Sequence, residues 1–353
     1  MANVYIISEN GKLFKQDETL VFLHTDETKT ILFPYKTSEL ILIGKVTITG
    51  DAIRLLARYK IPVLILLRNG KFQGKLTFGE SKNVFLRQKQ YAILTDEKKQ
   101  VAIAKSIVIG KIKNSLSFMQ RIKRKTNYSD ADEKLAETAV SKVKEILLHA
   151  ERVEKIDELR GYEGEAAQIY FSVFGMNIYP AWAEFKTRSK NPPRSNVNAV
   201  LSFLYTLVMY RVEAALQGQG LDVCCGNLHA LNYGKSALVF DLMEEFRAPL
   251  ADTLCASLFN LNMLQENDFE TKNVFSETDE ARDENLSDEK AIVLTKQGLK
   301  KTIAAFEEKM DTLIFYAPRE EKLSYNKIIF EQAEQYKRVM LGEETEYKPF
   351  YFK

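Results

Sequence analysis

The stretch VYIISENGKLFKQDETLVFL, Val4 to Leu23, decides the fold class at the start of this chain. It contains two runs of β-branched, aromatic and leucine residues, Val4–Ile7 and Leu20–Leu23, and the polar turn Ser8–Gly11 follows the first run. Short apolar runs bounded by turn residues are typical of strands. The same strand pattern recurs in Ile31–Phe33, Leu40–Ile43, Ile61–Leu67 and Lys71–Phe78. Between the second and third of these, Gly50–Tyr59 has the spacing of a short helix.

Beyond Asn83 the apolar spacing changes from that of strands to that of helices. Val101, Ala104, Val108 and Ile112 lie three or four positions apart, as on one face of a helix. We therefore predict an α+β protein, with a small β-rich domain at residues 1–82 and a larger all-helical domain at residues 83–353. The aromatic tail, Tyr347–Lys353, is expected either to pack locally or to dock on a partner.

Composition sets limits on the class of protein. The chain has 353 residues, of which 45% are hydrophobic, so two domains with buried cores are expected and disorder throughout is excluded. We expect no membrane span, because we find no apolar run of the roughly 20 residues that a span takes. The first residues, MANVYIISENGK, do not resemble a signal peptide. Three cysteines, two of them adjacent, do not suggest a disulfide framework, and a cytoplasmic location is expected.

Basic residues are clustered although the net charge is only +2. One cluster lies between Lys105 and Lys125, and a second lies between Lys186 and Arg194. Such clusters favour a polyanionic partner, although a solvated helix face is the plainer explanation for a single charge run. The candidates for contacts with the phosphates of such a partner are Arg121, Lys123, Arg124, Lys186, Arg188, Lys190, Arg194 and Arg247.

Glu163 lies on the apolar face of a predicted helix. At 100° per residue it falls in the stripe formed by Leu159, Ala166 and Tyr170, whereas Glu165 points to the opposite side. A carboxylate among core residues is costly unless it is paired or bound to a cation. The spacing leaves two explanations open, a buried ion pair and a metal ligand.

The segment CCGNLHALNYGKSALVFDLMEEFR, Cys224 to Arg247, contains one of three histidines in the chain, His229, followed by three acidic residues. For Asp241 the pattern favours capping of a helix and leaves a place in a metal shell open. Glu244 is expected at the edge of an apolar stripe, and Glu245 is a possible auxiliary group. Together Glu163, His229 and Glu244 would suit Mg²⁺ or Mn²⁺. Zinc ranks lower, because adjacent cysteines lack the spacing of a zinc knuckle.

Three ordered blocks resemble the motifs of a known family. They are LRGYEGEAAQIYF (Leu159–Phe171), NPPRSNVNAVLSFLYTLV (Asn191–Val208) and GNLHALNYGKSALVFDLMEEFRAPLAD (Gly226–Asp252). This sequence is similar to the CRISPR-associated integrase-endonuclease, the first of the Cas proteins, over nearly its whole length. Two residues, Asn196 and Asn227, depart from what is usual in that family.

The resemblance implies a function and a site. It assigns dimerisation to the β-rich domain, metal-dependent catalysis to the helical domain and contacts with DNA phosphates to the basic residues named above. The function would be the joining of short foreign DNA into a CRISPR array by a homodimer that acts with the second Cas protein on double-stranded DNA. The family's metal ligands would correspond to Glu163, His229 and Glu244, with Asp241 or Glu245 orienting them. Two alternatives from other classes remain, a nuclease for branched DNA without array integration and a DNA-binding scaffold that does not cut.

Overall fold

The computed structural model describes residues 2–79, 83–123, 129–183, 185–189, 192–230, 232–273 and 290–352, and the side chain of Lys123 lies outside that description. Two compact units are present. Unit 1 consists of Met1–Glu80 and Asn267–Lys300, and unit 2 consists of Ser81–Glu266 and Lys301–Lys353. The predicted boundary at residue 82 falls on residues 80–82, which are outside the described ones. Unit 1 also includes Asn267–Lys300, a segment that the sequence analysis placed in the helical domain.

Unit 1 is rich in strands and is built around two four-stranded sheets. Its elements in chain order are β1 (Ala2–Ser8), β2 (Lys12–Gln16), β3 (Thr19–Leu23), β4 (Lys29–Leu32), β5 (Thr37–Gly44), β6 (Thr47–Ile48), α1 (Gly50–Tyr59), β7 (Val63–Leu66) and β8 (Phe72–Leu76). One sheet has the order β1-β5-β7-β8, parallel except for β8. The other has the order β4-β3-β2-β6.

The core of unit 1 lies between these sheets and α1. Leu13, Phe22, Leu42 and Leu56 are all fully buried in one cluster. Gly11 is required by this packing, because a Cβ atom at that position would lie 2.2 Å from Cζ of Phe22. Burial of these large side chains is the main stabilising contribution in such a unit.

Unit 2 is mostly helical. Its helices are α2 (Val84–Leu94), α3 (Glu97–Lys123), α4 (Asp130–Ala150), α5 (Ile156–Phe174), α6 (Asn196–Gly218), α7 (Ala237–Phe246), α8 (Thr253–Asn260) and α10 (Tyr325–Leu341), and α9 (Lys296–Asp311) crosses the boundary between the units. A π-helical turn, Arg247–Asp252, joins α7 to α8. The long helix α3 packs against α4, α5, α7 and the π-helical turn. It therefore lies next to the elements that carry the candidate site residues described below.

The predicted α+β class, with a strand-rich start and a mostly helical remainder, is confirmed. The helical part also contains strands that the sequence pattern did not indicate. The hairpin of β9 (Phe269–Asn273) and β10 (Lys290–Leu294) belongs to unit 1, and the hairpin of β11 (Leu313–Tyr316) and β12 (Glu321–Ser324) belongs to unit 2.

Helix α6 corrects the expectation about apolar length. In the part of the chain that the structure describes, it is the one helix long and apolar enough to cross a membrane, and 67% of its most apolar window is buried inside the protein. Burial of that kind is typical of a core helix, because a spanning helix presents its apolar side chains to lipid.

We predict that Gly11→Ala destabilises the protein by about 1 to 3 kcal/mol, because the added methyl group overlaps the buried ring of Phe22. The free energy of unfolding measured in urea checks this. Gly50→Ala is the matched control, since a Cβ atom at Gly50 meets no atom within 4 Å. Equal unfolding free energies for the two variants would contradict the packing argument.

Candidate active site

Helix α5 places Glu163 beside α3. Leu159, Ala166 and Tyr170 are buried on its apolar stripe, as the helical spacing predicted, and the side chain of Glu163 is 25% exposed at the edge of that stripe. Its carboxylate forms an ion pair with Nζ of Lys111 on α3. The structure therefore shows the ion pair that was one of the two explanations for Glu163. The other explanation, a metal ligand, stays open, because a metal ion could take the place of the Lys111 ammonium group beside this carboxylate.

Lys111 also contacts a second carboxylate. Its Nζ lies 2.7 Å from Oε2 of Glu244, whose side chain is only 2% exposed. Arg247, one turn further along the chain, lies 3.0 Å from Oε1 of the same carboxylate. Burial opposes ionisation of Glu244, but the charges of Arg247 and Lys111 prevail and lower its pKa below the usual value. Glu244 is thus a buried, ionised group at the junction of α3, α5 and α7.

Asp241 holds the loop that carries His229. Its fully buried carboxylate accepts hydrogen bonds from the backbone N–H groups of Asn227, Leu228 and His229, the last two at 2.9 Å. It also lies 2.7 Å from Nδ1 of His229. This pairing favours the tautomer with the proton on Nδ1, which leaves the Nε2 lone pair for a ligand.

The capping explanation for Asp241 is wrong. Helix α7 begins at Ala237 with Ser236 at the N-cap position, so Asp241 lies inside the helix. The loop approaches α7 closely, since a Cβ atom at Gly226 would lie 2.7 Å from Cβ of Ala237. This close approach brings the backbone amides of the loop within reach of Asp241.

The donor set suits a hard divalent cation. Two carboxylates, those of Glu163 and Glu244, share one cationic group. Oε2 of Glu244 is buried and close to Lys111, but it has no well-aligned hydrogen bond, so it keeps capacity for a ligand. Within the described ranges, no three His, Cys, Asp or Glu side chains are grouped tightly enough to enclose a metal ion. Lys111 stands where such an ion would meet Glu163 and Glu244.

The cysteines near His229 do not favour zinc. Cys225 is buried, and burial raises the pKa of its thiol to about 12. Burial also raises the pKa of Cys224. A zinc site built on these two cysteines would need their thiolates, which the raised pKa values oppose. Mg²⁺ and Mn²⁺ prefer oxygen ligands and also accept imidazole.

Glu245 belongs to a different environment from its neighbour Glu244. It accepts hydrogen bonds from the Tyr347 hydroxyl at 2.7 Å and from the backbone N–H of Phe350 at 2.6 Å. Burial raises its pKa to about 8, although these hydrogen bonds and those of Gln332 act in the opposite direction. The structure therefore places Glu245 with the aromatic tail and not with the candidate ligands Glu163, His229 and Glu244, and the tail packs against its own chain.

Two functional candidates were missed by the sequence analysis, Lys111 and Asp252. Asp252 is 1% exposed and accepts hydrogen bonds at 2.7 Å from the hydroxyl groups of both Tyr170 and Tyr205. The ring of Tyr205 lies 4.9 Å from the guanidinium carbon of Arg247, so this group supports the partner of Glu244. Lys111 could have been recognised from the sequence, because it lies three positions after Val108 and four before Ser115. That spacing puts its charge on the buried face of α3.

The predicted DNA contacts lie in several settings. Arg188 donates to Oδ1 of Asn198 and to Oγ of Ser202, and Arg247 is paired with Glu244, so both guanidinium groups have internal partners. The Arg121 guanidinium lies 4.0 Å from the ring centre of Phe352, and its side chain is exposed. Lys186 and Arg194 are exposed. Outside the described residues are Arg124, Lys190 and the side chain of Lys123.

The fold defines a class of protein with a strand-rich unit and a mostly helical unit. The structure is similar to that of a Cas1 protein from Thermotoga maritima, with a TM-score of 0.79, 20% identity and coverage of 98% of this chain and 99% of that one. It is also similar to a casposase bound to integration product, with a TM-score of 0.81, 20% identity and coverage of 100% and 95%. At these identities the likeness concerns the fold.

The sequence comparison settles the family. The family model of CRISPR associated protein Cas1 matches residues 4–308, and the chain therefore belongs to the Cas1 family. It is 31% identical to CRISPR-associated endonuclease Cas1 3 of Thermus thermophilus over 98% of this chain and 96% of the relative. It is 30% identical to CRISPR-associated endonuclease Cas1 1 of Moorella thermoacetica, over 99% and 98%. The resemblance drawn from the three sequence blocks is confirmed.

We predict that Asp241→Ala destabilises the protein by about 3 to 5 kcal/mol, because it leaves several buried amides without an acceptor. The free energy of unfolding in urea measures this. Asp157→Ala serves as the control, since Asp157 is 90% exposed and pairs with Arg160 on the surface of α5. A loss for Asp241→Ala no larger than that of the control would refute the anchoring role.

A pH dependence follows from Asp252. Burial raises its pKa from 3.8 to about 6, against the hydrogen bonds of the two tyrosines. As the pH rises, Asp252 therefore loses its proton at a lower pH in the unfolded chain than in the folded protein. The contribution of protonated Asp252 to the free energy of unfolding then falls between about pH 4 and about pH 6. Relative to Asp252→Asn, the wild type should lose roughly 3 kcal/mol of unfolding free energy between pH 4 and pH 7. Parallel stability curves for the two proteins would contradict the raised pKa.

Proposed function

We propose that this protein is a metal-dependent DNA endonuclease and integrase that joins short foreign DNA into a CRISPR array. The observation that carries the proposal is the meeting of Glu163 and Glu244 at one cationic group, with His229 fixed by Asp241 on the loop beside α7. Membership of the Cas1 family supports it, since curated relatives are endonucleases by name.

The proposed metal is Mg²⁺ or Mn²⁺, held by Glu163, Glu244 and Nε2 of His229. When bound, such an ion withdraws charge from the scissile phosphate and stabilises the leaving 3′ oxygen. The residues of the chain supply the setting. Asp241 fixes the ring orientation and tautomer of His229, and Arg247 keeps Glu244 ionised in its buried position.

The attacking group would be the 3′-hydroxyl of the incoming DNA in integration and water in hydrolysis. Of the predicted DNA-contact residues whose side chains the structure describes, Arg121, Lys186 and Arg194 are exposed. These three are proposed to contact DNA phosphates independently of sequence. Arg188 and Arg247, which have internal partners, are proposed to act mainly by supporting the site.

The proposed partners are double-stranded DNA, the second Cas protein and a second copy of this chain. Two structural neighbours support the first two by what their names state, the casposase bound to integration product and the Cas6-RT-Cas1–Cas2 complex. The latter matches with a TM-score of 0.80 and 22% identity over 98% of this chain and 36% of that one. For the homodimer, unit 1 offers the exposed apolar side chains Ile31, Tyr35 and Phe72. Three cysteines without disulfides accord with the proposed cytoplasmic location.

The test uses purified protein, Mn²⁺, a short duplex with 3′-hydroxyl ends and a supercoiled plasmid carrying the repeat, with and without the second Cas protein, and a parallel reaction contains a branched DNA junction. Joined products support the integrase. Cleavage of branched junctions alone would replace it with a nuclease of different substrate, and a mobility shift without any product would replace it with a scaffold.

We predict that Glu163→Gln and His229→Ala each lower the rate of strand joining at least about a hundredfold, because each removes a proposed ligand of the ion. DNA affinity, measured by fluorescence anisotropy, should stay within about threefold, since the phosphate contacts lie elsewhere. Glu165→Gln is the matched control, because Glu165 is exposed on the same helix. An unchanged joining rate in both ligand variants would refute the assignment.

A further inference from the structure

The position of Lys111 has a meaning beyond the ion pairs themselves. Its side chain is 14% exposed, and its ammonium group contacts Oε1 of Glu163 on α5 and Oε2 of Glu244 on α7. One point charge therefore joins two carboxylates that come from separate helices. A divalent ion held by the same two oxygens would need the same space.

The charges of this group are balanced. Glu163 and Glu244 contribute two negative charges, and Lys111 and Arg247 contribute two positive charges. A divalent ion would add two further positive charges within a few ångströms of both cations. Like charges at that separation in a largely buried place repel strongly, so one of the cationic side chains must withdraw.

Of the two cations, Arg247 is the fixed one. Its guanidinium lies 4.9 Å from the ring centre of Tyr205 and 3.8 Å from the sulfur of Met243, and it pairs with Oε1 of Glu244. Lys111 carries a compact charge on a flexible four-carbon stem and contacts Oε2, the oxygen without a well-aligned hydrogen bond. Withdrawal of Lys111 therefore costs less contact than withdrawal of Arg247.

We propose that Lys111 is the exchangeable cation of this site, which holds Glu163 and Glu244 together and leaves them when a divalent ion binds. The inference rests on the proposed function, because it takes those two carboxylates as metal ligands. Lys111 then sets the affinity for the ion, since every binding event must displace it.

The test is Mn²⁺ binding measured by isothermal titration calorimetry, on wild type, Lys111→Met and Lys113→Met. Methionine keeps the unbranched stem and removes the charge. Lys111→Met should bind Mn²⁺ about tenfold or more tightly than the wild type, because no cation has to leave. Lys113→Met should match the wild type, since Lys113 lies on the same helix and pairs with Glu151 at 3.7 Å where both side chains are over 40% exposed.

A second readout is the melting temperature. In EDTA, Lys111→Met should melt several degrees below the wild type, because two carboxylates lose a shared partner, and saturating Mn²⁺ should raise its melting temperature more than that of the wild type. Tighter Mn²⁺ binding together with this pattern supports the proposal.

The outcomes separate this inference from the function beneath it. Equal Mn²⁺ affinity in wild type and Lys111→Met, with both losing binding when Glu163→Gln is added, keeps the metal centre and overturns the exchange. Failure of both proteins to bind Mn²⁺ overturns the metal centre and the exchange together. Weaker binding in Lys111→Met would make Lys111 a supporting group and would also overturn the proposal.

Discussion

Burial of the negative charge on Glu244 is the constraint on which the helical unit depends. An ionised carboxylate that is 2% exposed is tolerated only if cations and hydrogen bonds replace the lost water. Here one cation comes from the following turn of the same chain segment and the other from α3, which also reaches Glu163 on α5. Three helices that are distant in sequence are therefore held at one point by electrostatics as well as by apolar packing.

The segment from Asp241 to Asp252 contains four buried carboxyl groups, each of which needs partners to replace the water it has lost. Asp241, Glu244, Glu245 and Asp252 are all at most 2% exposed, yet each has a different kind of partner. Backbone amides surround the first, cationic side chains the second, the aromatic tail the third and two tyrosine hydroxyls the last. The consequences for pKa diverge accordingly, lowered for Glu244 and raised for Glu245 and Asp252. Adjacent carboxylates thus acquire separate roles from their surroundings.

Helical periodicity was informative where a charge fell on an apolar face. It identified Glu163 and would have identified Lys111 by the same test, and it placed the change from strands to helices correctly. It failed where long-range contacts decide the outcome. Local spacing put Glu244 at the edge of an apolar stripe, but it could not reveal the different partners of Glu244 and Glu245. Those partners come from α3 on one side and from a tail more than a hundred positions away on the other. The capping pattern at Asp241 misled for a related reason, since the amides it binds belong to a loop that precedes the helix. The strand β2 was missed because its Lys-Leu-Phe-Lys-Gln sequence is short and mostly polar.

The contacts of the aromatic tail have a consequence for how the protein is made. Phe350 donates its backbone N–H to Glu245 across 105 positions, its ring stacks on Phe246, and its carbonyl accepts from Asn114. A nascent chain that has passed the ribosome only as far as α7 holds Glu245 without these partners. The region around Glu245 can therefore reach its final packing only after Phe350 has been synthesised, because contacts across more than a hundred positions complete it.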